Sequence, residues 1–204
     1  MVFLWAHYSA ESGGSSMELV GSAAGKSALQ GGTFDRAAAR AALLYVASGV
    51  SGPTFHKVSK VFYFADRLHL ERYGSFMFGD EYWALRFGPV PMNAYRDMDQ
   101  VRQHPELSCE AGFSVETVKV DGWPAPVIRP LCAPDLDELS AATLQCLDES
   151  MARHGGQSFG ELTDLSHDAA WNGISQDEVM SVELIASTLP NARAVLEYLS
   201  DPYP

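Results

Sequence analysis

Asp66 and His69 stand three residues apart in a run that begins Lys60-Val-Phe-Tyr-Phe-Ala-Asp, so on a helix they share one face. That spacing suits an acid–base pair or two ligands of a metal ion, with Asp80, Glu81 or His167 as the third ligand a metal needs. A metal-dependent hydrolase built on Asp66, His69 and His167 is therefore one reading. The favoured one is a buried polar network joining helices, drawn from Asp66, His69, Arg86, His167 and Trp171, with no metal and no cofactor. Ser166-His167-Asp168 has the residue types of a hydrolase triad, but neighbours in sequence diverge on any backbone and a triad must converge. Ser166 reads instead as the N-cap of a short turn ending at Trp171, with His167 directed into or across the fold. No assembled catalytic site is visible, and the chain reads as a non-enzyme.

Arg86 precedes Phe87-Gly88-Pro89 at the end of a predicted strand, where its guanidinium can serve an interior carboxylate such as Asp66 or a partner protein. Arg, Tyr and Trp dominate protein interfaces. Tyr63, Tyr73, Tyr82, Trp83, Arg86 and Tyr95 are thus the candidate partner-binding residues, most of them core and two or three exposed.

The elements that must position these residues follow from periodicity and punctuation. Thr33 offers a cap to an alanine-rich helix over 37–47, and Thr54 caps a second helix whose Val58, Val61, Phe62, Ala65 and Leu68 recur at three and four. Tyr63, Phe64 and Leu70 fill its other sides, which predicts a central helix, stopped by Gly74. A strand is predicted over 81–87, a turn at Gly88-Pro89, and a third helix with Pro91 in its first turn. Strands over 113–120 and 126–131 flank the hairpin signal Asp121-Gly122-Trp123. Helices follow over 135–154, from a capping box at Ser158 to Leu165, and over 182–188 and 192–200. The sum is an α+β fold, a predominantly helical single domain over 34–204 with a small antiparallel β-sheet.

Residues 9–33 are rich in Ser, Gly and Ala, so residues 1–33 read as a flexible extension, with Met1 or Met17 as the start. Gly25-Lys26-Ser27 lacks the four-residue spacing and preceding strand of a phosphate loop. Cys109, Cys132 and Cys146 suggest neither a disulfide framework nor a zinc knuckle, and no apolar run approaches the roughly 20 residues of a bilayer span. A cytoplasmic protein is expected. The net charge is −12, of which residues 130–204 supply −11, from 13 acids against 2 bases. Such a field repels nucleic acid and attracts a cationic protein.

The ordered set Lys60-Val-Phe-Tyr-Phe-Ala-Asp…His69…Tyr73-Gly74, Gly79-Asp80-Glu81, Phe87-Gly88-Pro89-Val90-Pro91 with Tyr95, and Leu165-Ser166-His167…Trp171 resembles the Panacea domain, also called SocA-like antitoxin, across about residues 36–200. The resemblance implies an antitoxin of a prokaryotic or phage toxin–antitoxin pair that binds and neutralises its toxin. For the SocA-like branch it further implies a proteolytic adaptor that brings the toxin to a ClpXP-type protease. Relatives with a DNA-binding domain ahead of the Panacea unit differ from this chain, whose residues 1–33 are too short and too poor in apolar residues to form one, so no nucleic-acid binding by this chain alone is expected.

Overall fold

Helix α2 (Phe55–Tyr73) organises the domain because almost every side of it is apolar or carries a partnered polar group. The computed structural model describes residues 33–120 and 122–201; the predicted extension over 1–33 lies outside these except for Thr33. Thr54 Oγ1 accepts from Lys57 N at the start of α2, and Gly74 closes it in the left-handed conformation at φ 73°. Val58, Val61, Phe62, Tyr63, Ala65 and Leu70 are all fully buried, and each large apolar group among them contributes roughly 1.5–3 kcal/mol of burial. The central position predicted for this helix is the one observed.

Helix α1 (Arg36–Gly49) buries its alanine and leucine side and is capped by Asp35, whose Oδ1 accepts from Ala38 N, rather than by Thr33. Helix α5 (Ala141–His154) packs along α2 and donates a buried bond from Ser150 Oγ to the Val61 carbonyl. Ser140 caps it; the predicted run from Asp135 is broken, because Asp135 caps a separate 3-10 turn over Leu136–Glu138.

Strands β1 (Tyr82–Leu85) and β2 (Gly88–Pro91) form a tight antiparallel hairpin. The turn falls on Arg86-Phe87, not on Gly88-Pro89, and Pro91 is the N-cap of α3 (Met92–Gln103) rather than part of its first turn. The prolines of β2 are tolerated because it is an edge: the sheet order is β2-β1-β5, with β5 only Val179–Met180. Carbonyl and amide of one residue point to the same side of a strand. The Pro89 carbonyl turns away from β1 to meet Lys60, so Pro89 and Pro91 sit at the outward positions where no amide is needed. Short α4 (Ser108–Ala111) leads into β3 (Phe113–Val120), which pairs with β4 (Trp123–Pro130) through a turn at Gly122. Strand β4 begins three residues earlier than its prolines suggest. Helices α6 (Phe159–Ser166), α7 (Ala169–Asn172), α8 (Val182–Ala186) and α9 (Ala192–Ser200) complete a mostly helical α+β domain. Tyr63, Leu70, Tyr82, Met180, Ile185 and Leu199 form the core beneath the three-stranded sheet.

Candidate functional site

His56, Lys60, Tyr63 and Arg67 recur at three and four along α2, so they form one polar stripe in an otherwise apolar helix. The stripe faces the β1–β2 turn and the α6–α7 segment, and each of its members bonds to one of them or to the chain beyond. Lys60, fully buried, donates from Nζ to the Pro89 carbonyl at 2.8 Å. Burial holds its amine well below the usual lysine range. Tyr63 donates to Asp168 Oδ2 at 2.8 Å, and Arg67 lies 3.1 Å from the same oxygen while donating to Thr188 Oγ1. His56 Nε2 stands 3.1 Å from Thr163 Oγ1. Burial, then the Lys60 charge, pushes its imidazole down to about 3, against a smaller opposing pull from the Phe87 carbonyl.

Gly88 is where these elements close on one another. Its φ is 97°, and a methyl group there would lie 2.3 Å from Ser166 Oγ and 2.7 Å from Lys60 Nζ. Only glycine fits, on conformational and on steric grounds.

Around this joint sits a surface of rings. Arg86, at the hairpin tip, is exposed and lays its guanidinium 5.3 Å from the Phe87 ring centre. Phe87 meets Phe159 edge-on at 5.3 Å, and Phe159, 42% exposed, stacks on His56 at 4.0 Å. On the other flank His167 stacks on Trp171 at 3.7 Å, and Trp171 Nε1 donates to the Leu85 carbonyl. Burial and the Lys60 charge lower the His167 pKa, with the Arg86 carbonyl opposing. Among the described residues, His167 Nε2 and Trp83 Nε1 are buried atoms without a hydrogen-bond partner.

The sequence candidates separate into distinct places. Asp66 is fully buried and accepts from Met77 N at 2.6 Å and Tyr82 OH at 2.7 Å. Its partner is Tyr82, not Arg86. Burial pushes this carboxyl up to about 7, against those two hydrogen bonds. His69 Nδ1 bonds the Ser75 carbonyl at 2.7 Å, and its ring lies 4.9 Å from Tyr73. Asp80 is committed to α3, accepting from Asn93 N and Ala94 N at 2.9 Å. The five residues of the predicted network therefore do not form one network: Asp66 and His69 bond elsewhere, the Arg86 side chain is exposed, and His167 meets the Trp171 ring and the Arg86 carbonyl. Among the described residues, no group of three or more His, Cys, Asp or Glu is placed to hold a metal ion. The hydrolase reading from Asp66, His69 and His167 finds no support in this geometry.

Ser166-His167-Asp168 does diverge as expected, but the cap belongs to Asp168, whose Oδ1 accepts from Ala170 N and Trp171 N; Ser166 ends α6 and donates to the Thr163 carbonyl. Of the candidate contacts, Tyr63 and Tyr82 are fully buried and present nothing to a partner, Trp83 and Tyr95 are half-buried, and Tyr73 and Arg86 are exposed. Sequence reasoning misses His56, Lys60, Phe159 and Asp168 as members of one site. The three-and-four recurrence of His56, Lys60, Tyr63 and Arg67 is the available signal for a polar stripe. A separate concavity of about 260 Å³ between α1, α3 and α4, with Arg36, Arg40, Leu43 and Val101 in its lining, contains none of the candidates.

A mostly helical α+β domain whose buried polar stripe locks a β-hairpin against two short helices is the class defined by fold and site. The family model described as Antitoxin SocA-like, Panacea domain matches residues 58–172, and the chain belongs to that family. The matched span contains Lys60, the whole β1–β2 hairpin and the α6–α7 segment. No curated protein and no solved structure matches. No helix among the described residues is long and apolar enough to cross a membrane.

Proposed function

We propose that this chain is the antitoxin of a prokaryotic toxin–antitoxin pair, acting in the cytoplasm by binding its cognate protein toxin and delivering it to a ClpXP-type protease. The observation that carries the reading is the antitoxin family match across the centre of the fold. The acidic balance of residues 130–204 favours a cationic polypeptide by providing an attracting field. Tyr73 and Arg86 offer exposed anchor side chains, and Trp83 and Tyr95 are half-buried. A stable complex requires about 1,600 Å² of buried surface, so the anchors act within a broader contact area. Delivery needs a second surface for the protease and works by raising the local concentration of the toxin.

Coexpression with the neighbouring gene tests neutralisation. The neighbouring product is expected to arrest growth alone and to be silenced by this chain. A harmless neighbour, or toxicity that persists, defeats the reading. Delivery is tested separately by following toxin half-life with purified ClpXP, with and without this chain; an unchanged half-life leaves occlusion as the mode of neutralisation.

A further inference from the structure

The ring surface at the hairpin tip presents one exposed cation, Arg86, in a chain of net charge −12. Arg86 is exposed at its centre and makes no ion pair among the described residues; its described contact is with the Phe87 ring. Lys60 lies buried just beneath, bonded to a backbone carbonyl. His56 and His167 flank it, each close enough to Lys60 to feel its charge. The acids near His167 are Asp164 and Asp168, and Asp168 is already committed to Tyr63, Arg67 and the start of α7. Arg86 is thus the charge this turn offers, with no carboxylate of the described residues bonded to it, while burial keeps the pKa values of Lys60, His56 and His167 behind it low. By contrast, both arginines of residues 130–204 are paired, Arg153 with Glu149 and Arg193 with Glu197.

The apolar half of the surface is equally defined. Phe159 is 42% exposed although it is clamped between His56 and Phe87, so it is a rigid ring held at the surface, not a loose one. A guanidinium next to fixed aromatic edges recognises a carboxylate in bidentate fashion and leaves the rings for an adjacent aliphatic or aromatic group. His167, which follows α6 and packs against the same turn, adds in Nε2 a buried nitrogen without a hydrogen-bond partner among the described residues.

We propose that the β1–β2 hairpin tip is the site where the toxin docks an Asp or Glu carboxylate flanked by an apolar side chain, the carboxylate on Arg86 and the apolar group against Phe87 and Phe159. The inference rests on the antitoxin reading and refines it: the acidic field draws in a basic toxin, and this contrasting spot fixes the register, since a carboxylate is repelled by the acidic surface elsewhere. Arg86, Phe87 and Phe159 lie within the residues matched by the family model.

The test uses the full chain and purified toxin, with binding measured by calorimetry for wild type, Arg86→Glu, Arg86→Lys and Phe159→Ala. Circular dichroism melting of each variant confirms folding; should Phe159→Ala unfold, Phe159→Leu replaces it. Arg86→Glu and Phe159→Ala (or Phe159→Leu) are expected to weaken binding at least tenfold, and Arg86→Lys less. One Asp→Lys or Glu→Lys change among the toxin's surface acids is expected to recover binding to Arg86→Glu. Folded variants that bind within twofold of wild type overturn the docking site while the antitoxin reading stands. Weakened binding that no toxin charge swap recovers overturns the carboxylate. Normal toxin binding with lost delivery to the protease overturns the toxin as occupant, and absence of wild-type binding removes the antitoxin reading and this inference together.

Discussion

Gly88 and Asp66 show how single residues of α2 and its neighbours set the balance of the interior. Replacing Gly88 by alanine forces an L side chain to φ 97° and drives a methyl group into Ser166 Oγ and Lys60 Nζ. Strain and overpacking each cost about 1–3 kcal/mol, so Gly88→Ala is expected to lower unfolding stability by about 3 kcal/mol or more in urea titration. Asp66 makes a pH argument. Its folded pKa of about 7 lies above the ordinary 3.8, so the folded state holds the extra proton between those values. Its contribution is complete below about pH 4 and is lost as pH rises through 7. In the Asp66→Asn variant the side-chain amide can still accept from Met77 N and meet Tyr82 OH without a charge. The variant is therefore expected to gain on wild type by a few kcal/mol between pH 4 and 7, measured as the difference between two pH-stability curves. That Asp66 is buried and bonded is legible from a carboxylate in an apolar helix. That Tyr82 is its partner is not, because the pairing depends on how β1 crosses α2.

At the scale of elements, the legible parts are those whose signal is local. Thr54 before α2, Gly74 after it and the Ser158–Glu161 capping box stand next to the backbone groups they satisfy, and all three are observed. Helix α3 is different. Its own N-cap, Pro91, has no side-chain acceptor, and Asp80, eleven residues upstream, supplies the carboxylate instead by accepting from Asn93 N, Asn93 Nδ2 and Ala94 N. Such a remote cap leaves no trace in a window of neighbouring residues. Asp80→Ala removes an acceptor for three backbone amides, counting Glu81 N. A loss of about 1–3 kcal/mol is expected, and hydrogen exchange of the first turn of α3 should accelerate while that of α5 stays unchanged. Strand β2 reads as a turn for a related reason: Gly-Pro-Val-Pro is turn chemistry locally, and only its edge position makes it a strand.

For the whole molecule, the summed periodicity of the segments discloses the helical α+β class, and the charge count along the chain discloses the uneven charge, since both are sums over many residues. The meeting of His56, Phe159, Arg86 and His167 on one surface is hidden, because it requires four elements to be docked first. The acidic surplus has a kinetic consequence if the partner is cationic. Association with the toxin is expected to slow at least about tenfold between roughly 0.05 M and 0.5 M salt, as screening shortens the reach of the field. Stopped-flow fluorescence measures this directly, and a rate indifferent to salt would contradict steering by residues 130–204.

The outward row of β2 carries Pro89 and Pro91, and the corresponding row of β4 carries Pro124, Pro126 and Pro130, with its Ile128 amide already donated to the Pro53 carbonyl. Neither ribbon has a free hydrogen to lend along that side. An incoming polypeptide therefore cannot zip onto β2 or β4 as an additional strand, nor can two copies of this chain fuse there into a runaway sheet. Whatever it captures along those borders has to be held by side chains, which makes recognition depend on the partner's sequence rather than on its backbone.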